Sequence, residues 1–227
     1  MYSVLIEAQP KQGLRDAYFA DAETLRPELE AAPGFVDNTR YGSLSRDGWI
    51  LSLSLWRDEA SVIGWHRRVH DGQNMEKEWS SLLADYRVRV GEVTSDTKLS
   101  EDQKIAGRQP GDAEAGEGTY LTLIDAKQTA EWVRSNNPQD IALYLGFDLY
   151  SYGSCISWDV FDALLNPGEI MLVVTWKDAE SANDHAATQI VPDNARVRVV
   201  RVTRDDAMSA GRQTSDPGAV VGRSVRA

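Results

Sequence analysis

Apolar and polar positions change period along the first half of the chain. Residues 2–9 form a strand-sized apolar run, and residues 13–32 then place Ala, Leu and aromatic side chains at helical spacing. Pro33 and Gly34 end that helix, because proline cannot continue it and glycine accepts the left-handed conformation common at helix ends. The pattern therefore predicts a strand followed by a helix.

The next segment alternates in steps of two and predicts a hairpin. Its strands are residues 35–44 and 49–56, and the turn is Ser45-Arg46-Asp47-Gly48. In the second strand three leucines alternate with polar and apolar residues, so one face is apolar and the other is mixed. A helix over residues 57–83, interrupted near residues 71–72, and a strand over residues 86–93 complete this half.

The second half repeats the same order of elements. The matching segments are residues 2–7 with 120–125, 33–35 with 145–147, 53–60 with 172–179, and 87–90 with 196–199. Four matches in the same order at nearly constant offset favour an internal duplication.

The repeat predicts two βαββαβ domains, residues 1–95 and 118–203. A Gly-rich acidic linker separates them over residues 96–117, and a poorly ordered tail follows over residues 204–227. A four-stranded sheet with both helices on one face leaves its other face bare, and a second sheet covers it. We expect two sheets packed face to face as a barrel, whose interior holds a small apolar ligand.

Composition excludes several classes of function. The net charge of -11 opposes binding to nucleic acid. No apolar run approaches the ~20 residues of a membrane-spanning helix, and the N-terminal residues lack a signal-peptide pattern. We therefore expect no membrane partner and a cytoplasmic location. The single cysteine, Cys155, excludes an intrachain disulfide and a cysteine-based zinc site, and a buried, inert thiol is the favoured interpretation.

Several segments of the first half resemble the antibiotic biosynthesis monooxygenase (ABM) family. They are Trp56-Arg-Asp-Glu-Ala at a strand end, Trp65 nine residues later followed by histidine, and Asp85-Tyr-Arg-Val-Arg-Val-Gly-Glu-Val at the close. That family belongs to the dimeric α/β-barrel superfamily. The resemblance implies an α+β fold, with two ferredoxin-like βαββαβ domains packed sheet to sheet as an intrachain dimeric α/β barrel. It implies activity less specifically, because this fold also hosts haem-degrading enzymes and isomerases.

The function that the resemblance implies is cofactor-independent monooxygenation of a small aromatic or polyketide-like molecule. In such oxygenases the deprotonated substrate passes an electron to oxygen, so the protein supplies an apolar pocket, a base and hydrogen-bond donors. We expect no cofactor and no metal. The candidate catalytic residues are Trp65, His66 and His70. The candidate substrate-binding residues are Asn38, Arg40, Tyr41, Trp49, Tyr86 and His185.

Other interpretations stay open. Trp65 is equally an ordinary core tryptophan, and His66 and His70 have metal-ligand spacing but no third ligand nearby. Haem binding or degradation is disfavoured, because the haem-degrading branch has a helix histidine where this chain has Met75 and an asparagine on a first strand that has none here. The alternative from another class is a non-catalytic small-ligand-binding barrel protein. A monomer with an internal pseudo-dimer and a homodimer of tandem chains are both compatible with the pattern.

The second half has diverged from the first at its candidate site. His185 takes the position that matches Trp65, and the helix around it, residues 179–189, is shorter. We expect the first half to carry any chemistry, although His185 is an alternative general base. Trp132, Tyr152 and Trp158 are expected to pack in a core.

Overall fold

The described part of the chain forms eight β-strands and five α-helices. The structure is a computed structural model that describes residues 1–69, 75–99, 119–129 and 137–208. The first half contains β1 (Tyr2–Pro10), α1 (Arg15–Glu30), β2 (Phe35–Ser43), β3 (Ile50–Trp56), α2 (Glu59–Val69), α3 (Met75–Leu82) and β4 (Leu83–Asp96). The second half contains β5 (Tyr120–Lys127), α4 (Pro138–Tyr144), β6 (Cys155–Ala163), β7 (Glu169–Trp176), α5 (Ala179–Thr188) and β8 (Arg196–Ala207). The predicted α+β class is confirmed.

All eight strands join in one antiparallel sheet that closes into a barrel. Their order is β1-β3-β2-β6-β7-β5-β8-β4. The two halves meet at two seams, where β2 pairs with β6 and β4 pairs with β8. The halves are therefore joined by backbone hydrogen bonds at their edges, and not only through side chains across the barrel. Closure leaves no open sheet edge in the barrel.

The last strand extends into the predicted tail. Residues 204–207 pair with residues 87–90 of β4, because that strand offers backbone groups that need hydrogen-bond partners. The polar composition of the segment gave no sign of this pairing. Residues 209–227, most of the predicted linker, Trp132 and the predicted helix break near residues 71–72 lie outside the described residues. Within the described residues, no helix is long and apolar enough to span a bilayer.

Strand alternation sends side chains to two separate places. One set forms an apolar cluster inside the barrel, to which both halves contribute residues such as Leu5, Leu53, Leu123 and Phe161. The other set lies between the sheet and the helices. There the second half has a large buried cluster under α4 and α5, whereas the first half has a small one around Trp56.

The turns and strand ends of the two halves correspond. Gly34 and Gly146 both adopt a left-handed backbone, with φ of 78° and 81°, at the end of a helix. β3 and β7 both end at a tryptophan, Trp56 or Trp176, whose indole N–H donates to a hydroxyl on the same face. The paired strands also share the same register, with the tyrosine that opens β1 or β5 opposite that tryptophan.

A buried ion network links the two halves inside the barrel. Glu7 on β1 accepts hydrogen bonds from Arg89 on β4 and from Arg46, the latter at 2.5 Å. Arg46 also contacts Asp159 on β6 at 2.7 Å, and Arg89 donates to Thr175 on β7 at 3.1 Å. Burial alone would raise the pKa of Glu7, but the two arginines outweigh burial and hold that pKa below its ordinary value.

Replacing Glu7 by Gln is expected to lower the free energy of unfolding by about 3–5 kcal/mol at neutral pH, because Arg89 then stays buried without its counter-charge. Because the pKa of Glu7 in the folded protein lies below 4.5, its contribution to stability is fully present above pH 4.5. The contribution is lost as the pH falls through the folded-state pKa. Urea unfolding of both proteins across this range measures it. Glu30→Gln, which removes an exposed ion pair, is the control. Equal stability of wild type and Glu7→Gln at neutral pH would contradict the assignment.

Candidate functional site

Asn38 and Arg40 of β2 both point toward the helices of the first half. Asn38 Nδ2 donates to Ser52 Oγ at 3.1 Å and to the backbone carbonyl oxygen of Leu53 at 3.2 Å. Arg40 Nη1 donates to Glu23 of α1 at 2.7 Å, and Nη2 donates to the Ala22 carbonyl at 3.1 Å. Both side chains line an open cavity of about 210 Å³ between α1 and β2.

Trp65 and Tyr86 border the same layer from the opposite side. The Trp65 ring on α2 packs on Trp56 with centroids 6.1 Å apart, and Tyr86 on β4 meets Trp79 of α3 edge to face at 4.9 Å. Trp65 also lines a second cavity, of about 280 Å³, with residues from the start of α2. The structure thus places four of the predicted site residues between the helices and the sheet.

Side chains that lie next to one another on neighbouring strands form rows across the sheet. The residue types in these rows differ between the halves. The first row of the first half is Asn38, Ser54, Val4 and Val90, and its counterpart in the second half is Trp158, Val174, Thr122 and Val199. The next row is Arg40, Ser52, Ile6 and Val88, against Val160, Leu172, Ile124 and Val197. Polar side chains on β2 and β3 therefore stand where the second half has apolar ones.

These rows are less completely buried in the first half than in the second. Val4 and Ile6 lie on a central strand yet stay partly accessible, whereas the corresponding Thr122 and Ile124 are 0% exposed. Helix α1 buries none of its residues, while the short α4 buries two. Protein interiors are normally close-packed, so a half-open layer of this kind is a candidate binding site.

His185 stands in the second half at the position that matches Trp65. There its side chain is part of a packed core. Its ring is 0% exposed and lies 4.9–5.7 Å from those of Trp176, Tyr152 and Phe147. Neither ring nitrogen makes a hydrogen bond. Desolvation lowers the pKa of His185 to about 4, and the nearby backbone of Gly146 opposes this only in part. A side chain with no solvent access does not serve as the general base considered for it.

Tyr41 and Trp49 lie on the other side of the sheet. Tyr41 belongs to the apolar cluster inside the barrel, and desolvation raises the pKa of its phenol far above the ordinary value. Trp49 precedes β3 and lies under the Arg46 guanidinium, which is 4.4 Å from the ring centroid. The predicted binding set is therefore divided, because neighbouring residues of a strand face opposite surfaces.

His66 of α2 lies apart from Asn38 and Arg40. His66 lies beside Arg204 and Asp206 of β8. Burial and, to a smaller extent, the positive charge of Arg204 lower the pKa of His66 below the ordinary 6.5. Four strand spacings, roughly 19 Å, separate β8 from β2 in the sheet. His66 is therefore remote from Asn38 and Arg40, and His70 lies outside the described residues.

The barrel interior differs from the expected apolar ligand cavity. Apolar side chains fill its middle, and the cavity of about 240 Å³ at one end has a mainly polar and charged lining that includes Asp125 and Arg198. Partly accessible apolar side chains on the sheet, Val4 and Ile6, lie under the helices of the first half. The residues that sequence reasoning overlooked are Ser52 and Ser54, whose only signal was the mixed face of their strand.

The remaining expected core residues pack as ordinary side chains. Tyr152 and Trp158 contact the buried cluster of the second half. Desolvation raises the pKa of the Cys155 thiol to about 11, so this thiol is protonated at neutral pH. Within the described residues, no group of three His, Cys, Asp or Glu side chains has a metal-binding arrangement.

Solved structures show proteins of similar fold. An aldoxime dehydratase aligns over 88% of this chain and 80% of its own, with a TM-score of 0.52 and 11% identity. This likeness concerns the fold alone. An anthrone oxidase-like protein aligns over 99% of this chain and 96% of its own, but at a TM-score of 0.32 and 12% identity, which supports no argument. The class is thus an α+β barrel protein with an open layer under the helices of its first half.

Sequence comparison identifies the family. The model of the family described as antibiotic biosynthesis monooxygenase matches residues 1–73. A protein of Pyricularia oryzae named jasmonate monooxygenase ABM is 34% identical over 187 residues, which cover 80% of this chain and 85% of that protein. The chain belongs to the ABM family, as the residues around Trp56 and Trp65 predicted. The family and this relative together support a monooxygenase-like function.

The buried His185 predicts a pH dependence of stability. Because its pKa is lowered from 6.5 to about 4, the unfolded chain binds more protons between these values. Stability is therefore complete above about 6.5 and falls by about 3 kcal/mol as the pH drops to about 4. Urea unfolding across this window, compared with His185→Phe, isolates the effect, since the variant should lack it. The same acid loss in both proteins would contradict the prediction.

Proposed function

We propose that the chain is a monooxygenase that oxidises a small apolar molecule between the helices and the sheet of its first half. The observation that carries this proposal is the contrast between the row Asn38, Ser54 and Val4 and its filled counterpart in the second half. The first half keeps donors and partly accessible apolar surface where the second half is packed. That combination is typical of small-molecule sites.

The proposed chemistry uses the substrate's own electrons. Loss of a proton from an activated methylene group gives a carbanion, which passes an electron to dioxygen. Recombination gives a hydroperoxide, which loses one molecule of water and leaves a carbonyl. One methylene group and one dioxygen thus become one carbonyl and one water, with no external reductant. The protein's part is to hold the substrate, accept the proton and stabilise the oxyanion.

Ser54 is the proposed donor to that oxyanion. Its Oγ accepts the indole N–H of Trp56 at 2.9 Å, and no described group accepts its own proton. Its side chain is partly exposed in the open row. Asn38 Nδ2 lies on the same face and is held by Ser52. Trp65 is proposed as an apolar wall, and His70 stays a candidate catalytic residue.

Two substrate classes follow from the family. The sequence prediction is an aromatic or polyketide-like compound, for which an anthrone is the test substrate because it has an activated methylene group. The name of the Pyricularia oryzae relative adds jasmonate. If one oxygen atom is inserted into a C–H bond of jasmonate, reduction of the second oxygen atom to water takes two electrons and two protons from outside the substrate. The route described above supplies none, so NADPH is added as the reductant in that experiment.

Oxygen consumption with either substrate tests the proposal, and Ser54→Ala is expected to lower kcat/KM by about tenfold to a hundredfold. Thr122→Val is the matched control, because Thr122 accepts the Trp176 indole at 2.8 Å in the same way but lies in the filled row. It should change kcat/KM by less than about twofold while lowering stability by about 1 kcal/mol. His70→Ala, assayed alongside, tests whether this candidate catalytic residue contributes.

The outcome separates the alternatives. Absence of oxygen uptake with every substrate, together with ligand binding, would favour the non-catalytic binding protein. Equal losses of kcat/KM in Ser54→Ala and Thr122→Val would contradict a site in the first half. A Soret shift on adding hemin would favour the haem-binding alternative.

We also propose that the barrel is a tandem pair of ferredoxin-like domains, residues 1–95 and 118–203, in the dimeric α/β-barrel arrangement. The shared register, the two left-handed glycines and the order of elements in each half support this. The two seams supply within one chain the edge pairing that separate copies would otherwise provide.

The closed barrel predicts a monomer in solution, because neither half needs a second chain to cover its inner face or its sheet edges. Light scattering coupled to size exclusion is expected to give the mass of one chain at all concentrations tested. A stable dimer would show that a further surface is used for assembly and would contradict this prediction.

A further inference from the structure

The cavity between α1 and β2 contains a buried arginine whose ion-pair partner is half-exposed and also lies 3.6 Å from Arg26 of the same helix. The Arg40 side chain is 9% exposed, and its ion pair is made by Glu23, whose side chain is 49% exposed. Glu23 belongs to α1, which buries none of its residues. A buried guanidinium needs a counter-charge, whereas a half-exposed carboxylate keeps most of its hydration when released.

Arg40 is oriented independently of Glu23. Its Nη2 donates to the Ala22 carbonyl at 3.1 Å, so one hydrogen bond would hold the guanidinium after Glu23 leaves. Its Nη1, now 2.7 Å from Glu23, would then be available to another acceptor. A carboxylate from solution fits this place, because charge-assisted pairs of arginine with carboxylates are strong and directional.

Part of the remaining cavity wall is apolar. Leu29, Phe35 and Leu165 line it beside Arg40, and Asn38 lines it as a neutral donor. The charged side chains of Arg26, Glu30 and Asp37 line the other part, and Arg26 pairs with Glu30 at 2.7 Å. On the sheet, Arg40 lies next to Ser52, which in turn lies next to Ile6, so the guanidinium borders the open row proposed for the chemistry. At the corresponding position the second half has Val160, which is fully buried.

We infer that Arg40 is a substrate-anchoring residue that binds the carboxylate of an amphipathic monocarboxylic acid in exchange for Glu23. This inference rests on the proposed function and specifies its substrate class: an apolar body with one carboxylate at its end. Glu23 acts as an internal competitor that neutralises Arg40 when the site is free. The exchange replaces one carboxylate by another, so the net charge beside Arg40 is preserved.

Isothermal titration calorimetry with cyclohexanebutyrate and its neutral amide tests the inference without turnover. Wild type should bind the acid at least about tenfold more tightly than the amide. Glu23→Gln removes the competitor and should tighten acid binding by a further factor of about ten, with no change for the amide. Arg40→Gln should remove the preference for the acid, and Arg40→Lys should restore only part of it, because lysine lacks the planar fork.

Arg15→Gln is the control for loss of one positive charge near the same helix, since the Arg15 side chain is exposed and packs on Phe19. It should retain the preference of wild type. In Arg40→Gln, Glu23 stays half-exposed and no unpaired charge is left buried at this place. The variant should therefore fold, and a thermal melt checks this. Equal binding of acid and amide to wild type, no binding of either, or an acid preference that survives Arg40→Gln would each overturn the inference.

Failure of the inference differs from failure of the proposed function. Oxygen uptake with no acid preference would retain the monooxygenase and remove the anchor. A preference that depends on Arg40 without oxygen uptake would support the anchor and leave a binding protein.

Discussion

Closure of the eight-stranded sheet is the constraint on which the other features depend. Each strand must divide its side chains between an enclosed interior and a surface beneath the helices. A polar group sent inward needs a partner there, and Glu7, Arg46 and Arg89 pair their charges with one another and with Asp159 of the other half, although Arg89 Nε has no hydrogen-bond partner. The middle of the interior is thereby filled by side chains that hold the barrel together.

The surface beneath the helices is where the two halves diverge. In the second half, large apolar side chains such as Trp158 and Leu172 fill the space, and His185 is enclosed among aromatic rings. In the first half, Asn38, Ser52 and Ser54 are too small and polar to do so. Departures from close packing are common at functional sites, because the room that a ligand needs is taken from packing that would otherwise add stability. The second half is closely packed under its helices, whereas the first half keeps an incompletely buried layer there.

Two buried arginines show how the choice of partner separates a structural role from a binding role. Arg89 is enclosed by Glu7, which is itself buried, so neither charge leaves without exposing the other to an apolar interior. Arg40 is equally buried, but Glu23 lies half in solvent on a loosely packed helix. The first pair is fixed and the second is exchangeable, although both look alike as isolated charges in the sequence.

The sequence by itself determined the family, the α+β class and most strand positions. Alternation in residues 49–56, the glycine after α1 and the residues around Trp56 and Trp65 are local signals that do not depend on distant partners. They also led to the expectation that the first half carries any chemistry. Only the tertiary structure decided which candidates share a surface: it placed Asn38 and Arg40 under the helices, Tyr41 inside the barrel, His66 beside β8 and His185 in a core. It also extended β8 into the expected tail, because the partner strand β4 lies more than a hundred residues away in the chain. The physical reason is that facing and burial depend on register and closure, and these are set by strands far apart in sequence.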